Sequence, residues 1–402
     1  MRPRAVFAAC CALLLTTSDV TAATKHATAP EPDLLPLGYQ PPPNSDEAGL
    51  WFESEQTEKG LRGSPLLVRD PQLNAYVRSI VCKLEPGRCD AIRIYIMDMP
   101  YFQAMMAPNG SMQVWTGLLL RARSEAQLAF VLGHEISHYT HRHTIDQWRR
   151  MRNTSGFLAF FNIATAPFTA GLAGLAVTMA AIGSLMSYSR DEERDADAAG
   201  LQLVINAGYD PAEAGQIWRS EFDEENSDPL NDKDFAYFRT HPDSEERMQT
   251  LSRAADTAKT ASTAWTLGDD AYHEAMEPFR AAWFEQNLAL GRYERSLCLL
   301  RRLATEDPES AQVRYYIGEV HRRRNGKGDA ENAMAAYRQA IELGPDNGAP
   351  AAAWRGLGIV AMKTGDKATA RDAFKNYLAA APEAGDRGMV ELYLTRVQEP
   401  NP

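Results

Sequence analysis

The chain has 402 residues, of which 45% are hydrophobic and 24% are charged, and its formal net charge is −11. This length is enough for two or three domains with separate cores. The acidic balance argues against nucleic acid as a partner, because phosphate binding needs a clustered basic surface.

The first residues, MRPRAVFAACCALLLTTSDVTAA, have the order of an export signal. Arg2 and Arg4 precede an apolar run over residues 5–15 that is too short to cross a bilayer, and small residues ending at Ala22 form a cleavage site. We therefore expect residues 1–22 to be a cleaved signal peptide. A buried N-terminal helix is the alternative.

Export leaves three cysteines in an oxidising compartment. The stretch CKLEPGRC places Cys82 and Cys89 on either side of a Pro-Gly turn, which predicts a disulfide between them, with two unrelated thiols as the alternative. Cys298 is then expected to be a buried free thiol in an apolar helix.

Proline and polar residues make 23–47 a predicted linker. Helical spacing follows, interrupted by a Gly-Ser-Pro turn at 63–65, and AIRIYIMDM alternates apolar and polar residues as a strand does. A second short strand is predicted at 111–115. It is either an edge strand that holds an extended substrate or an ordinary core strand.

The next predicted helix begins at Ser124, which stands three residues before Gln127 as in a capping box. It carries LGHEISHYTHRH. Residues four apart share a helix face, so His134 and His138 can both reach one Zn²⁺ at about 2.0–2.1 Å. Glu135 can take a proton from water at that metal. A histidine-rich helix without a metal is the alternative.

A third ligand is predicted in YSRDEERDADAAG. Glu193 and Asp197 are four apart and small residues follow, so this helix can pack close to the first and offer Glu193 to the metal. Asp197 is placed to accept a proton from a ligand histidine. Glu192 is the competing ligand. The residue four positions after it is Ala196, so Glu192 would lack the outer-shell carboxylate that Asp197 provides beside Glu193. A solvated charged face is the alternative.

Between the two motifs, residues 156–187 contain no charged side chain. Both motifs must lie on one side of any membrane, and the stretch is too short for two crossings. It is therefore expected to form two short helices that either cover the active site or contact a membrane surface peripherally.

The last third of the chain is rich in alanine and repeats a helix-pair pattern. Pro308, Pro345 and Pro382 recur at a constant spacing, and Gly318 and Gly358 stand where paired helices would cross. The pattern predicts tetratricopeptide repeats, with an unrelated helical bundle as the alternative.

HEISH followed by SRDEERDAD resembles the gluzincin metallopeptidases that include the CAAX prenyl proteases and the HtpX heat-shock proteases, and in particular the periplasmic β-barrel assembly-enhancing type with a tetratricopeptide tail. The resemblance covers roughly 48–402. It implies a mainly α fold with a small β-sheet, in which a zincin-type metallopeptidase domain (48–255) precedes a tetratricopeptide array (268–402). By motif match, His134, His138 and Glu193 are the zinc ligands, Glu135 the general base and Asp197 the outer-shell partner.

RTHPDSEER, residues 239–247, also matches a segment of that family. The match implies that His241 approaches the metal, either as a fourth ligand that keeps the enzyme latent or as a group that stabilises the oxyanion. A surface histidine before a proline is the alternative. His141 and His143 are expected at the rim of the site or in solvent.

The sequence thus predicts a periplasmic zinc endopeptidase. By resemblance, its repeats hold misfolded or misassembled outer-membrane proteins and meet the machinery that assembles them. One alternative is a chaperone or scaffold whose zinc site is latent. Another is a membrane-surface scaffold built on residues 156–187.

Overall fold

The computed structural model describes residues 34–151, 187–228, 241, 245–261 and 264–398. The predicted signal peptide at 1–22 and nearly all of the apolar stretch at 156–187 lie outside the described residues. Within the described ranges, no helix combines the length and the hydropathy needed to cross a membrane.

The first part of the described chain is a set of helices around a small sheet, which confirms the predicted fold class. Its elements are α1 (Asp46–Gly63), α2 (Pro71–Leu84), β1 (Arg93–Met97), β2 (Ala104–Met106), β3 (Ser111–Trp115), α3 (Thr116–Arg121), α4 (Glu125–Thr140), α5 (His143–Met151), α6 (Arg190–Asn206), α7 (Glu213–Asn226) and α8 (Glu245–Ala261).

The sheet has the strand order β1-β3-β2. Strand β3 runs parallel to β1 and antiparallel to β2, so both of its sides have backbone partners. The expectation that 111–115 is an edge strand is therefore wrong, and the core-strand alternative holds. The physical reason is a tight turn at Gly110, which has φ +83° and returns the chain so that β2 covers the side of β3 away from β1.

Helices α4 and α6 pack backbone against backbone. A Cβ added to Gly133 of α4 would lie 3.2 Å from the carbonyl oxygen of Gly200 on α6. The missing side chains let the two helices approach closely at this point. As a result, the side chains that precede Gly200 on α6 face those that follow Gly133 on α4.

The second part of the described chain consists of helices in antiparallel pairs. These are α9 (Asp269–Ala289), α10 (Tyr293–Glu306), α11 (Ala311–Arg324), α12 (Asp329–Leu343), α13 (Ala352–Thr364), α14 (Lys367–Ala380) and α15 (Arg387–Gln398). Gly318 faces the Tyr337 ring, and Gly358 faces the Phe374 ring, where added Cβ atoms would lie 2.6 Å and 2.5 Å from ring carbons. These contacts confirm the predicted crossing points. The proposed boundary between 255 and 268 falls at the end of α8.

The two parts share buried polar contacts. Glu221 of α7 accepts from Arg295 of α10 at 3.0 Å, and the carbonyl of Arg121 on α3 accepts from Arg302 of α10 at 3.2 Å. Within the first part, the Arg121 guanidinium donates to Glu224 of α7 at 2.6 Å beside these contacts. Arg121, Glu221 and Glu224 are at most 3% exposed. Because a buried charge is costly unless it is paired, these contacts bind the first repeat firmly to α7.

A disulfide joins Cys82, near the end of α2, to Cys89, as predicted. Cys298 on α10 is free, but it is half-buried rather than fully buried. Close to the start of the described chain, Leu35 is 3% exposed and donates its backbone N–H to the carbonyl of Thr140 at 2.8 Å. Residues around Leu35 thus pack on the end of α4.

Candidate metal centre

Helix α4 buries the HEISH motif completely. Ser124 caps its start by accepting the amide of Gln127 at 3.2 Å, and the helix then runs through the core. His134 and His138 are 0% exposed and Glu135 is 1% exposed. The expected helix with both imidazoles on one face is therefore present.

Helix α6 presents two of its acidic residues, Glu193 and Asp197, to α4. Ser189 and Glu192 form a capping box at its start, and Glu192 also pairs with Arg150 at 2.8 Å. Glu192 thus points away from the motif histidines, whereas Glu193 is 0% exposed and Asp197 is 4% exposed. Of the two candidate glutamates, Glu193 is the one that faces His134 and His138.

Four buried side chains bring ligand atoms together within 4.8 Å of one another: His134, His138, Glu193 and His241. The Nε2 atom of His134 lies 3.0 Å from Nε2 of His138 and 3.2 Å from Nδ1 of His241. The Glu193 carboxylate lies 3.5 Å from Nε2 of each motif histidine and 3.0 Å from Nδ1 of His241. His241 is 2% exposed, so it is not the surface histidine of the alternative interpretation.

This arrangement fits a metal ion. A tetrahedral ion with bonds of about 2.0–2.1 Å separates its ligand atoms by about 3.3–3.4 Å, close to the distances within the cluster. Burial lowers the pKa of His134, His138 and His241, which favours neutral rings with available lone pairs. Lone pairs directed at one point in a dry interior repel one another, and a cation at that point removes the repulsion.

Asp197 and Arg247 form a charged layer behind the cluster. Asp197 Oδ1 lies 3.1 Å from Nδ1 of His134, on the ring edge opposite to the cluster, and Trp218 donates its indole N–H to the same oxygen at 3.3 Å. Arg247 contacts Asp197 at 2.6 Å and Glu193 at 2.7 Å. Burial alone would raise the pKa of Asp197, but the charge and hydrogen bonds of Arg247 outweigh it and hold that pKa low. Asp197 therefore remains an anion able to accept the His134 proton.

Glu135 lies beside the cluster rather than within it. Its Oε1 atom is 3.6 Å from Nε2 of His241. His241 therefore presents one ring nitrogen to Glu193 and His134 and turns the other toward Glu135. A carboxylate so close to the ligand atoms can exchange a proton with a molecule bound at the cluster.

Several residues of this region were not predicted from the sequence. Arg247 and Trp218 carry no spacing signal, because they meet Asp197 only through the fold. Tyr188 stacks on His138, with ring centroids 3.9 Å apart, and its hydroxyl lies 2.8 Å from the Thr144 hydroxyl. The expectation for His143 was wrong. It is 7% exposed and contacts His138, whereas His141 is partly buried beside Asp195.

Comparison with known proteins agrees with this geometry. The model of peptidase family M48 matches residues 67–255, and the tetratricopeptide repeat model matches residues 282–348 and 327–385. The first match spans the whole cluster, and the second spans the end of α9 and the helices α10 to α14.

Individual relatives point the same way. The chain is 29% identical to the β-barrel assembly-enhancing protease of Yersinia pestis over 215 residues, which are 50% of this chain and 43% of that protein. It is 30% identical to the mitochondrial metalloendopeptidase OMA1 of Arabidopsis thaliana over 161 residues, or 40% of this chain and 31% of that protein. The chain thus spans only 31% to 43% of the length of these relatives. Residues 67–255 of the chain form a peptidase family M48 domain, and tetratricopeptide repeats follow it.

Proposed function

We propose that this protein is an exported zinc endopeptidase that cleaves misfolded or misassembled outer-membrane proteins. The observation that carries the proposal is the convergence of His134, His138 and Glu193 in one buried cluster with Glu135 beside it. A purely structural metal site has no use for an adjacent carboxylate that is not a ligand. A hydrolytic site needs such a group as its base.

Zinc is the metal we propose. Two imidazoles and one carboxylate are a ligand set found in catalytic zinc sites, which keep a further position for water or substrate. When bound, zinc polarises a carbonyl oxygen and lowers the pKa of water. Metal dependence itself is already indicated by the family and by the buried cluster.

Each residue of the cluster then has a definable task. His134, His138 and Glu193 hold the ion, and Glu135 takes the proton of the attacking water and passes it to the leaving amine. Asp197 accepts the Nδ1 proton of His134, which keeps the Nε2 lone pair directed at the ion. Arg247 contacts both buried carboxylates on α6 and offsets part of their negative charge.

His241 is proposed as a fourth ligand that keeps the resting enzyme latent. Its Nδ1 atom lies among the ligand atoms, and its Nε2 atom lies 3.6 Å from the base Glu135. With this imidazole in place, His241 would occupy the position that a bound ion otherwise offers to water or substrate, and Glu135 has a partner other than water. A substrate therefore has to displace His241 before cleavage can begin.

The relatives and the tetratricopeptide repeats support a proposal for the substrate proteins and for the compartment in which the enzyme acts. The similarity to a β-barrel assembly-enhancing protease favours outer-membrane proteins and their assembly machinery as partners. The tetratricopeptide repeats offer a surface on which such partners can bind. The export signal predicted at 1–22 and the disulfide between Cys82 and Cys89 favour a periplasmic location.

The test is zinc content and cleavage of an unfolded outer-membrane β-barrel protein, with wild type compared with Glu135→Gln. We expect one zinc per chain in both and cleavage only in the wild type. Glu192→Gln is the matched control, because it makes the same chemical change on a glutamate that faces away from the cluster. It should keep both zinc and activity.

Two other outcomes contradict the proposal. If both proteins bind zinc and neither cleaves the substrate, even after replacement of His241, the non-proteolytic chaperone or scaffold is favoured. The position of His241 among the ligand atoms also supports that candidate. Absence of zinc after purification in zinc-containing buffer would show that the ligand assignment is wrong.

A further inference from the structure

His138 and His143 face each other through their Nδ1 atoms, 3.0 Å apart, in the interior of the protein. His138 uses its other nitrogen, Nε2, within the metal cluster. Two ring nitrogens at hydrogen-bond distance share one proton, so one of them donates and the other accepts.

The backbone explains why two histidines five positions apart can meet. Helix α4 ends at Thr140, and Arg142 takes a left-handed conformation, with φ +62°. This conformation is uncommon for a residue with a side chain, and here the Arg142 guanidinium is anchored by the buried carboxylate of Glu47. The turn starts α5 in a new direction and brings His143 back beside His138.

The position of the shared proton follows from the chemistry of a metal ligand. A neutral imidazole that binds a cation through Nε2 carries its proton on Nδ1. If His138 is such a ligand, it donates and Nδ1 of His143 accepts. His143 then carries its own proton on Nε2, and that atom lies 3.1 Å from Oδ2 of Asp195 on α6.

We propose that His143 and Asp195 are positioning residues for the metal site, and that the relay Asp195–His143–His138 fixes the tautomer and ring orientation of His138. The inference rests on the proposed function, since it takes His138 as a metal ligand. In this arrangement each histidine ligand is supported by a carboxylate. Asp197 contacts His134 directly, and Asp195 reaches His138 through the imidazole of His143.

Neighbouring side chains hold the relay in place. The ring of Tyr188 stacks on His138 with an interplanar angle of 17°, and its hydroxyl lies 2.8 Å from the Thr144 hydroxyl, next to His143. His141 also approaches Asp195, through Nδ1. Asp195 therefore accepts from two imidazoles, but of these two only His143 contacts a proposed ligand of the metal.

The same proton positions decide between the relay and a second cation site. Ligand atoms of His141, His143 and Asp195 lie close enough to hold a metal ion themselves. A cation on Nε2 of His143 would force the proton of that ring onto Nδ1, which would then face the Nδ1 proton of His138 at 3.0 Å. The two arrangements exclude each other, and the relay predicts one metal per chain.

The experiment measures the dissociation constant of Zn²⁺ by competition with a chromogenic chelator, together with zinc stoichiometry and the thermal stability of the metal-free protein. We expect Asp195→Ala and His143→Leu to weaken zinc binding about 10- to 100-fold. His143→Asn keeps an acceptor oxygen near the Nδ1 position and should recover most of the affinity. His273→Leu is the matched control for His143→Leu, because His273 is exposed on α9, and it should leave the affinity at the wild-type value.

The results separate the inference from the proposed function. Wild-type protein that binds no zinc would overturn both. If wild type and Asp195→Ala each bind one zinc ion with equal affinity, the relay is wrong and the proposed function stands. The same conclusion follows if His143→Leu weakens zinc binding and His143→Asn does not restore it. Two zinc ions per wild-type chain would replace the relay with a second cation site.

Discussion

Gly200 lies directly against the backbone of His134. A Cβ added to Gly200 would be 2.8 Å from the His134 amide nitrogen and 3.0 Å from its Cα. Real Cβ atoms do not approach so closely, and the atoms they would meet belong to a helix backbone, which cannot move aside as a side chain can. The distance between α4 and α6, and with it the spacing of the candidate ligands, is therefore set at this glycine.

We accordingly predict that Gly200→Ala pushes α6 away from α4. Overpacking of this kind costs about 1–3 kcal/mol of unfolding free energy, and Glu193 should move out of reach of an ion held by His134 and His138. Urea unfolding and zinc affinity, measured on the same preparation, check both effects.

Gly60→Ala is the control for this prediction. Gly60 lies inside α1, and an added Cβ there meets nothing within 4 Å. Because alanine is favoured over glycine in a helix by roughly 0.5–1 kcal/mol, this variant should be as stable as the wild type or more stable. Normal zinc affinity in Gly200→Ala would mean that the helix contact does not set the ligand spacing.

Replacing His241 should release the proposed latency. His241→Ala removes the imidazole that would occupy the fourth position of a bound ion, and it also removes the imidazole neighbour of Glu135. We therefore expect cleavage of an unfolded substrate to rise at least several-fold when zinc is saturating. Zinc should also bind more weakly, because one donor is lost. Initial rates and chelator competition measure the two changes.

His273→Ala is the matched control, since His273 is exposed on α9. Its rate and zinc affinity should equal those of the wild type. A lower rate in His241→Ala with unchanged zinc affinity would contradict latency, and would favour the other role considered for this residue, stabilisation of the oxyanion.

The disulfide between Cys82 and Cys89 closes a short loop, with a sequence separation of 7. A loop of this length restricts the unfolded chain by about 2–3 kcal/mol in the chain-entropy model. We predict that Cys82→Ser lowers the unfolding free energy by that amount, measured by urea titration without reductant. Cys298→Ser, at the free cysteine, should change it much less. Equal losses in the two variants would show that the bridge contributes little.

The parts of the site that the sequence predicted are those that follow from helical spacing. His134 and His138 share a face because they are four apart, and Glu193 and Asp197 share a face for the same reason. The small residues after Asp197 indicated close packing of a second helix, and the structure has that contact at Gly200. The zinc-binding roles of these residues stay predictions.

The parts that the sequence did not predict depend on where the chain turns. The sequence places His143 at the rim of the site or in solvent, but the left-handed Arg142 after the end of α4 turns His143 inward. The interpretation of 111–115 as an edge strand failed because β2 is only three residues long and has no clear periodic signal. Arg247 lies in a segment whose sequence says nothing about which carboxylates it meets.

The contact between α7 and the repeats gives a prediction about pH. Burial and the neighbouring charge of Glu224 raise the pKa of Glu221 to about 7, even though Arg295 lies 3.0 Å away. In the unfolded chain a glutamate titrates near 4.5. Between these values the folded protein binds more protons than the unfolded chain, so the stability contributed by Glu221 is present below pH 4.5 and is lost as pH rises toward 7.

Glu221→Gln removes this titration and imitates the protonated side chain. We predict that the unfolding free energy of the wild type, minus that of Glu221→Gln, falls as pH rises from 4.5 to 7, by at most about 1.4 kcal/mol per pH unit, and is constant above that range. The comparison isolates one group because the other acidic residues are the same in both proteins. Glu274→Gln, on the exposed side of α9, is the control and should give a flat difference. A flat difference for Glu221→Gln, or one that rises with pH, would show that Arg295 and Arg121 keep Glu221 ionised in the folded protein.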